Sequence, residues 1–256
     1  MRLYQSLTLA FAMYSKLPMP RVEWHEDSMA WVFCCFPLVG AVIGMVLYGW
    51  LHLAQWLTLG SSLTALGGLM LPLWISGGIH MDGLCDTCDA LGSHQTREKK
   101  LEILKDSRTG AFGVMGCGLY LIALYAGWTT LQGSETAFRV LALIPVFSRG
   151  CSSLMAVSCP NARGSGLLFT FTQKSVIKAN RLVSCLWLLV TGGVILFFGK
   201  CMGVAALVAM GLASVYYLAM SKKEFGGITG DLEGWYLQML ELFGLLAVAV
   251  VEREMV

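Results

Sequence analysis

Apolar residues run along this chain in long blocks, separated by short polar segments. From Ser28 to Met81 there is no Asp, Glu, Lys or Arg across 54 residues, and further uncharged runs cover Thr109–Ser134, Leu182–Gly199 and Cys201–Ser221. A helix needs about 20 apolar residues to cross the hydrocarbon core of a bilayer, so the first run alone has room for two crossings. The pattern predicts an all-α, polytopic integral membrane bundle of about seven spans, near residues 31–54, 60–79, 110–131, 137–157, 182–199, 202–220 and 233–251. These form a single membrane domain over residues 1–256. The apolar stretch Leu7–Tyr14 is shorter and is closed by Lys16 and the sequence LPMP. It predicts an interfacial helix and no cleavable signal.

The polar connections set the orientation. Basic residues gather in the N-terminal segment (Arg2, Lys16, Arg21) and in the segments 80–109, 158–181 and 221–232, which together hold 14 of the 18 Lys and Arg. The positive-inside rule places these segments and the N-terminus in the cytoplasm, at a cell inner membrane. Only 13% of the residues are charged, against about 25% in a soluble domain. The net charge of +2 is too small to suggest a nucleic-acid partner, and membrane lipid is the expected surrounding. Nine cysteines, an odd number spread mostly through apolar runs, fit reduced packing residues and not a disulfide framework.

The stretch GGIHMDGLCDTCDAL, residues 77–91, carries Asp82, Asp86 and Asp89 with no Lys or Arg between Gly77 and Ser93. The i, i+4, i+7 spacing puts the three on one helix face, where like charges repel. A hard divalent cation, Mg2+ or Mn2+, would neutralise them; a solvated acidic helix end is the plainer reading. Cys85 and Cys88 form a C-x-x-C, but they interleave with Asp86 and read as packing positions. His80 either touches a substrate phosphate or caps the span.

Three further polar elements fall on the same predicted face. KDSRTGAFG, residues 105–113, sets Lys105, Asp106 and Arg108 before a helix start, where free N–H groups attract phosphate. Asp106 is a further candidate ligand; interface anchoring is the alternative for its basic neighbours. Between these clusters, REKKLEILK predicts a short amphipathic helix with Leu101, Ile103 and Leu104 on the bilayer and Lys99, Lys100 and Lys105 toward headgroups. KKEFGGITGDLEG, residues 222–234, repeats the Gly-Gly-Ile-x-x-Asp pattern of residues 77–82 and offers Asp231. NARGSGLLFTF, residues 161–171, offers Arg163 beside glycines. Arg149 interrupts an apolar span and is expected to face the protein interior. Carboxylates, arginines and glycines on one face are the residue set for metal-assisted transfer at a phosphate. No P-loop, G-x-S-x-G or kinase-like pattern is present. A transporter with an intramembrane ion path is disfavoured because the carboxylates cluster at one face and not at the midplane.

The segments FPLVGAVIG, GGIHMDGLCDTCDAL, KDSRTGAFGVMG, SRG…ARGSGL and GGITGDLEG…ELFGLLA occur in this order. Over about residues 11–250 the chain resembles the cobalamin synthase (adenosylcobinamide-GDP ribazoletransferase) family. The resemblance implies that α-ribazole or its 5′-phosphate attacks adenosylcobinamide-GDP, releasing GMP and forming adenosylcobalamin or its 5′-phosphate, with Mg2+ as the usual metal. It implies Asp82, Asp86, Asp89 and Asp106 as metal ligands and catalytic carboxylates. Arg108, Lys105 and Arg149 would hold the pyrophosphate, and His80, Arg163 and Asp231 would contact substrate. A homo-oligomer, or association with other cobamide-pathway enzymes, is compatible with this reading. The carboxylates are also similar to those of membrane CDP-alcohol phosphotransferases acting on lipid alcohols, but Asp82-Gly83 is followed by L-C-D-T-C-D, without that family's A-R.

Overall fold

The computed structural model describes residues 2–20 and 26–255. Arg21, counted above toward the cytoplasmic side, lies outside the described residues. The elements are α1 (Arg2–Tyr14), α2 (Glu26–Met29), α3 (Val32–Trp56), α4 (Ser61–Ser76), α5 (Ile79–Gly92), α6 (Arg97–Ile103), α7 (Ala111–Thr130), α8 (Glu135–Ser158), α9 (Leu167–Lys174), α10 (Ile177–Met220), a π-turn (Ser221–Phe225) and α11 (Gly230–Met255). The fold is all-α among the described residues, as expected of a chain whose backbone must satisfy its own hydrogen bonds in lipid. Five helices are long and apolar enough to cross a membrane, or six if α4 and α5 count as one bent span. The chain is a multi-pass membrane protein.

The core lies between α3, α8, α11 and α10. On α3 and α8, Val39, Ile43, Val140, Leu141 and Ile144 are all buried. The Gly40-x-x-x-Gly44 pair explains how close these helices come. A Cβ on Gly40 would collide with the Pro145 carbonyl, and one on Gly44 with that of Ala142. Small residues four apart let two membrane helices touch backbone to backbone. The opposite pattern marks the rim of the bundle: Leu119, Ile122, Phe197, Leu212 and Val215 are exposed, facing lipid.

Two reversals shape the bundle. The expected span 60–79 stops at Ser76, because Gly77 and Gly78 adopt φ of 66° and 77°, a left-handed geometry that favours glycine. The chain turns by 96°, so α5 and its aspartates form a separate helix lying across the end of α4. Lys200 makes the second break, at φ 47° and ψ −124°. A Cβ on Gly203 would strike the carbonyl of Ile195. On a straight helix residues eight apart are about 12 Å apart along the axis, so the chain doubles back. The arms 177–199 and 201–220 are each long enough for a crossing.

The short helix α6 differs from expectation. Leu104 is buried, but Lys100 is buried too and donates to Glu224 of the π-turn. The side chain expected among headgroups instead ties the segment after α5 to the segment before α11. A buried cation needs such a partner. All nine cysteines are free. Cys88 packs so closely on α7 that a side chain on Gly116 would collide with its sulfur, in line with a packing role.

Candidate active site

Helices α5 and α11 begin alike, each at or just after a Gly-Gly-Ile segment, and their first turns meet. A Cβ on Gly83 would lie 2.6 Å from the Asp231 carbonyl oxygen, and one on Gly234 would lie 3.0 Å from that of His80. The absence of side chains at Gly83 and Gly234 brings Asp82 and Asp231 to one spot. Asp86, one turn further along α5, stands within electrostatic reach of both and of Arg163.

The loop after α8 supplies the cation. Asn161 Oδ1 accepts hydrogen bonds from the Arg163 and Gly164 amides at 2.9 Å each. Residues 160–162 pair with Ile228: the Ala162 amide donates to the Ile228 carbonyl and the Ile228 amide to that of Pro160, both at 2.9 Å. These bonds fix Arg163 against the start of α11, where its Nη2 stands 2.9 Å from Asp231 Oδ2. The contact lacks hydrogen-bond alignment, and Arg163 Nε, Arg163 Nη2 and Asp231 Oδ2 are all buried without a hydrogen-bond partner. Buried polar atoms in this state leave room for a further partner.

Asp82, Arg163 and Asp231 open onto a cavity of about 330 Å³, lined also by His80, Ser152 and Glu233 on its polar sides and by Tyr14, Phe33 and Phe36 elsewhere. His80 is 6% exposed, its ring 6.1 Å from that of Tyr14 and 5.9 Å from that of Phe36. Its Nε2 has no hydrogen-bond partner.

The other sequence candidates are placed differently. Asp89 is buried, accepting from the Gly110 amide at 2.6 Å and the Gly113 amide at 2.8 Å. It caps the N-terminus of α7, satisfying amides that the helix leaves free. Asp106 folds onto its own loop: its carboxylate accepts from the Arg108 amide at 3.0 Å and from Arg108 Nη2 at 2.8 Å. The Arg108 guanidinium draws that carboxyl down to about 2. Lys105 is exposed. Arg149 does face the interior, 1% exposed and paired with Glu241, with its guanidinium 5.8 Å from the Phe36 ring centre. So His80, Asp82, Asp86, Arg163 and Asp231 come together, while Asp89, Asp106, Arg108, Lys105 and Arg149 have other partners or none.

Two contributors escaped the sequence reading. Glu233, 7% exposed, accepts from Ser152 and, at 2.8 Å, from Tyr217. An acid inside an apolar helix was the available signal. Tyr14 ends a helix that carried no charge pattern, so nothing in the sequence marked it.

Among the described residues no three His, Cys, Asp or Glu side chains already form a metal cage. The donor set nevertheless fits Mg2+, which is bound through one or two carboxylates plus substrate phosphate and keeps several waters. Asp82, Asp86 and Asp231, whose Oδ2 also stands 2.9 Å from Arg163 Nη2, would supply such carboxylates.

No solved structure matches the chain. Similar proteins named adenosylcobinamide-GDP ribazoletransferase include one from Lachnoclostridium phytofermentans, 38% identical over 98% of this chain and 96% of its own. Another is from Clostridium perfringens strain SM101, 32% identical over 97% and 98%. A third, from Pseudomonas savastanoi pv. phaseolicola, is 32% identical over 92% and 93%. The family model for cobalamin-5-phosphate synthase matches residues 6–249. The chain belongs to the cobalamin-5-phosphate synthase family.

Proposed function

We propose that the chain joins adenosylcobinamide-GDP to α-ribazole or its 5′-phosphate, releasing GMP and forming adenosylcobalamin or its 5′-phosphate. A ribose hydroxyl forms a new bond to the phosphorus on the cobinamide side, and the bond from that phosphorus to the GMP oxygen breaks. One carboxylate among Asp82, Asp86 and Asp231 takes the hydroxyl proton. Arg163, which lines the cavity beside Asp231, offers a fork that matches phosphate oxygens. Asp82, Asp86 and Asp231 would hold Mg2+, or Mn2+ in its place, and the ion would offset charge on the pyrophosphate. Asp89 works through α7, whose N-terminus it fixes beside the site. The single observation that carries the reading is the meeting of two Gly-Gly-Ile-x-x-Asp helix starts with Arg163 on one cavity.

In the same proposal the protein crosses an inner membrane seven times, with this cavity toward the cytoplasm. The basic segments that flank α6, α9 and the π-turn all lie at the end of the bundle that holds the cavity. A reporter fused after Gly92 is expected to read cytoplasmic; a periplasmic reading would reverse the orientation. Purified protein in vesicles with Mg2+ is expected to release GMP from adenosylcobinamide-GDP only when α-ribazole or its phosphate is added. Release of CMP from a CDP-alcohol instead would sink the assignment.

A further inference from the structure

The cavity lining falls into two unlike groups. One is polar: Asp82, Arg163 and Asp231. The other is aromatic: Tyr14 and Phe36 bring their ring centres to 4.3 Å, Phe33 also lines the cavity, and His80 adds its ring beside Tyr14. We propose that this aromatic wall is the seat of the nucleoside substrate's base, holding a flat, fused, weakly polar ring while its ribose points at the carboxylates. The inference rests on the transfer reaction proposed above and extends it to the recognition of one substrate.

Size and polarity decide which substrate enters. Enclosed small-molecule sites run from about 300 Å³ upward, so 330 Å³ suits one nucleoside. A corrinoid, a macrocycle several times larger, must stay outside the mouth and present only its pyrophosphate. Guanine is also flat, but its edge carries several donors and acceptors that an apolar wall would strip of water without replacement. A benzimidazole-type base has one free ring nitrogen, an acceptor, and the wall has one unsatisfied buried polar atom among its rings, His80 Nε2. Stacking on side-chain rings tolerates changes in ring substituents, because every base has a π-face. The wall therefore selects ring size more than ring decoration.

The test uses the intact protein in vesicles, the GMP-release assay, and two probes: the ribosides of benzimidazole and of imidazole, which lacks the fused ring. Wild type is expected to prefer the benzimidazole riboside by tenfold or more. Tyr14→Leu should raise KM for that riboside about tenfold, the lower part of the range for losing one base–aromatic stack, without a matching rise for the guanylylated corrinoid. It should also erase most of the preference between ribosides, and Tyr14→Phe should restore it. Phe33→Leu provides a second variant if Tyr14→Leu fails to accumulate. A rise in KM for the corrinoid substrate alone would put guanine on the wall and overturn the inference, as would an unchanged riboside preference in both variants. Calorimetric binding of the benzimidazole riboside without corrinoid separates the two levels. Binding that needs Tyr14, in a protein that releases no GMP, would keep the wall and sink the transfer reaction.

Discussion

Asp82→Asn and Asp86→Asn are expected to keep the protein in the membrane while cutting GMP release by orders of magnitude. Asparagine preserves the size of each side chain and removes the charge that would hold a divalent cation and accept a proton. Asp82 is exposed and Asp86 half-buried, so neither packs the core and the fold should survive. Asp89→Ala should behave in the opposite way. Its two oxygens hold the Gly110 and Gly113 amides, and losing such a cap costs about 0.5–2 kcal/mol. Its signature is a lower unfolding temperature in detergent, with activity lost only as far as α7 loosens. Near-normal turnover in both Asp82→Asn and Asp86→Asn would remove the metal role from α5.

Glu241→Ala is expected to produce the largest loss of stability. It strands Arg149, which is 1% exposed, in the middle of the bundle. Arg149 also donates to the Pro145 carbonyl at 3.0 Å, but that oxygen carries no charge to offset the guanidinium. Removing one partner of a buried ion pair costs about 3–5 kcal/mol, whereas replacing both by apolar residues is often neutral. Glu241→Ala should therefore unfold well below wild type in detergent, and the double variant Arg149→Met, Glu241→Leu should recover much of the loss. A single variant as stable as wild type would mean that the pair adds nothing to the fold. Activity in the double variant would also separate Arg149 from the pyrophosphate contact that sequence resemblance assigned to it.

Helices were legible because a membrane span is written in uncharged length: the expected 110–131 is observed as Ala111–Thr130. Length alone could not reveal the bend after Ser76, which comes from two left-handed glycines inside an unbroken apolar run. The carboxylate face of α5 was legible in its i, i+4, i+7 spacing. Its division of labour was not, because spacing says which side chains share a face and nothing about what faces them. Asp89 meets the amides of α7, while Asp82 and Asp86 meet Asp231 across a contact made by Gly83 and Gly234. The repeated Gly-Gly-Ile-x-x-Asp pattern was visible as a coincidence of letters. Its meaning, two helix starts brought together, needed the third dimension. Lys100 was misplaced because its partner, Glu224, lies 124 residues away.

The reversal at Lys200 bears on how the protein is made. The two arms on either side carry no charge over Leu182–Gly199 and Cys201–Ser221, and a single residue joins them. During synthesis they can enter the bilayer together as one hairpin, with only the Lys200 ammonium carried to the far side. A lysine at mid-bilayer costs about 2.5–3.5 kcal/mol on the insertion scale, a small barrier beside the apolar length of both arms. In the proposed seven-span arrangement the hairpin would enter as one unit of membrane insertion, and its two ends, at α9 and at the π-turn, would stay on the side where the site is assembled.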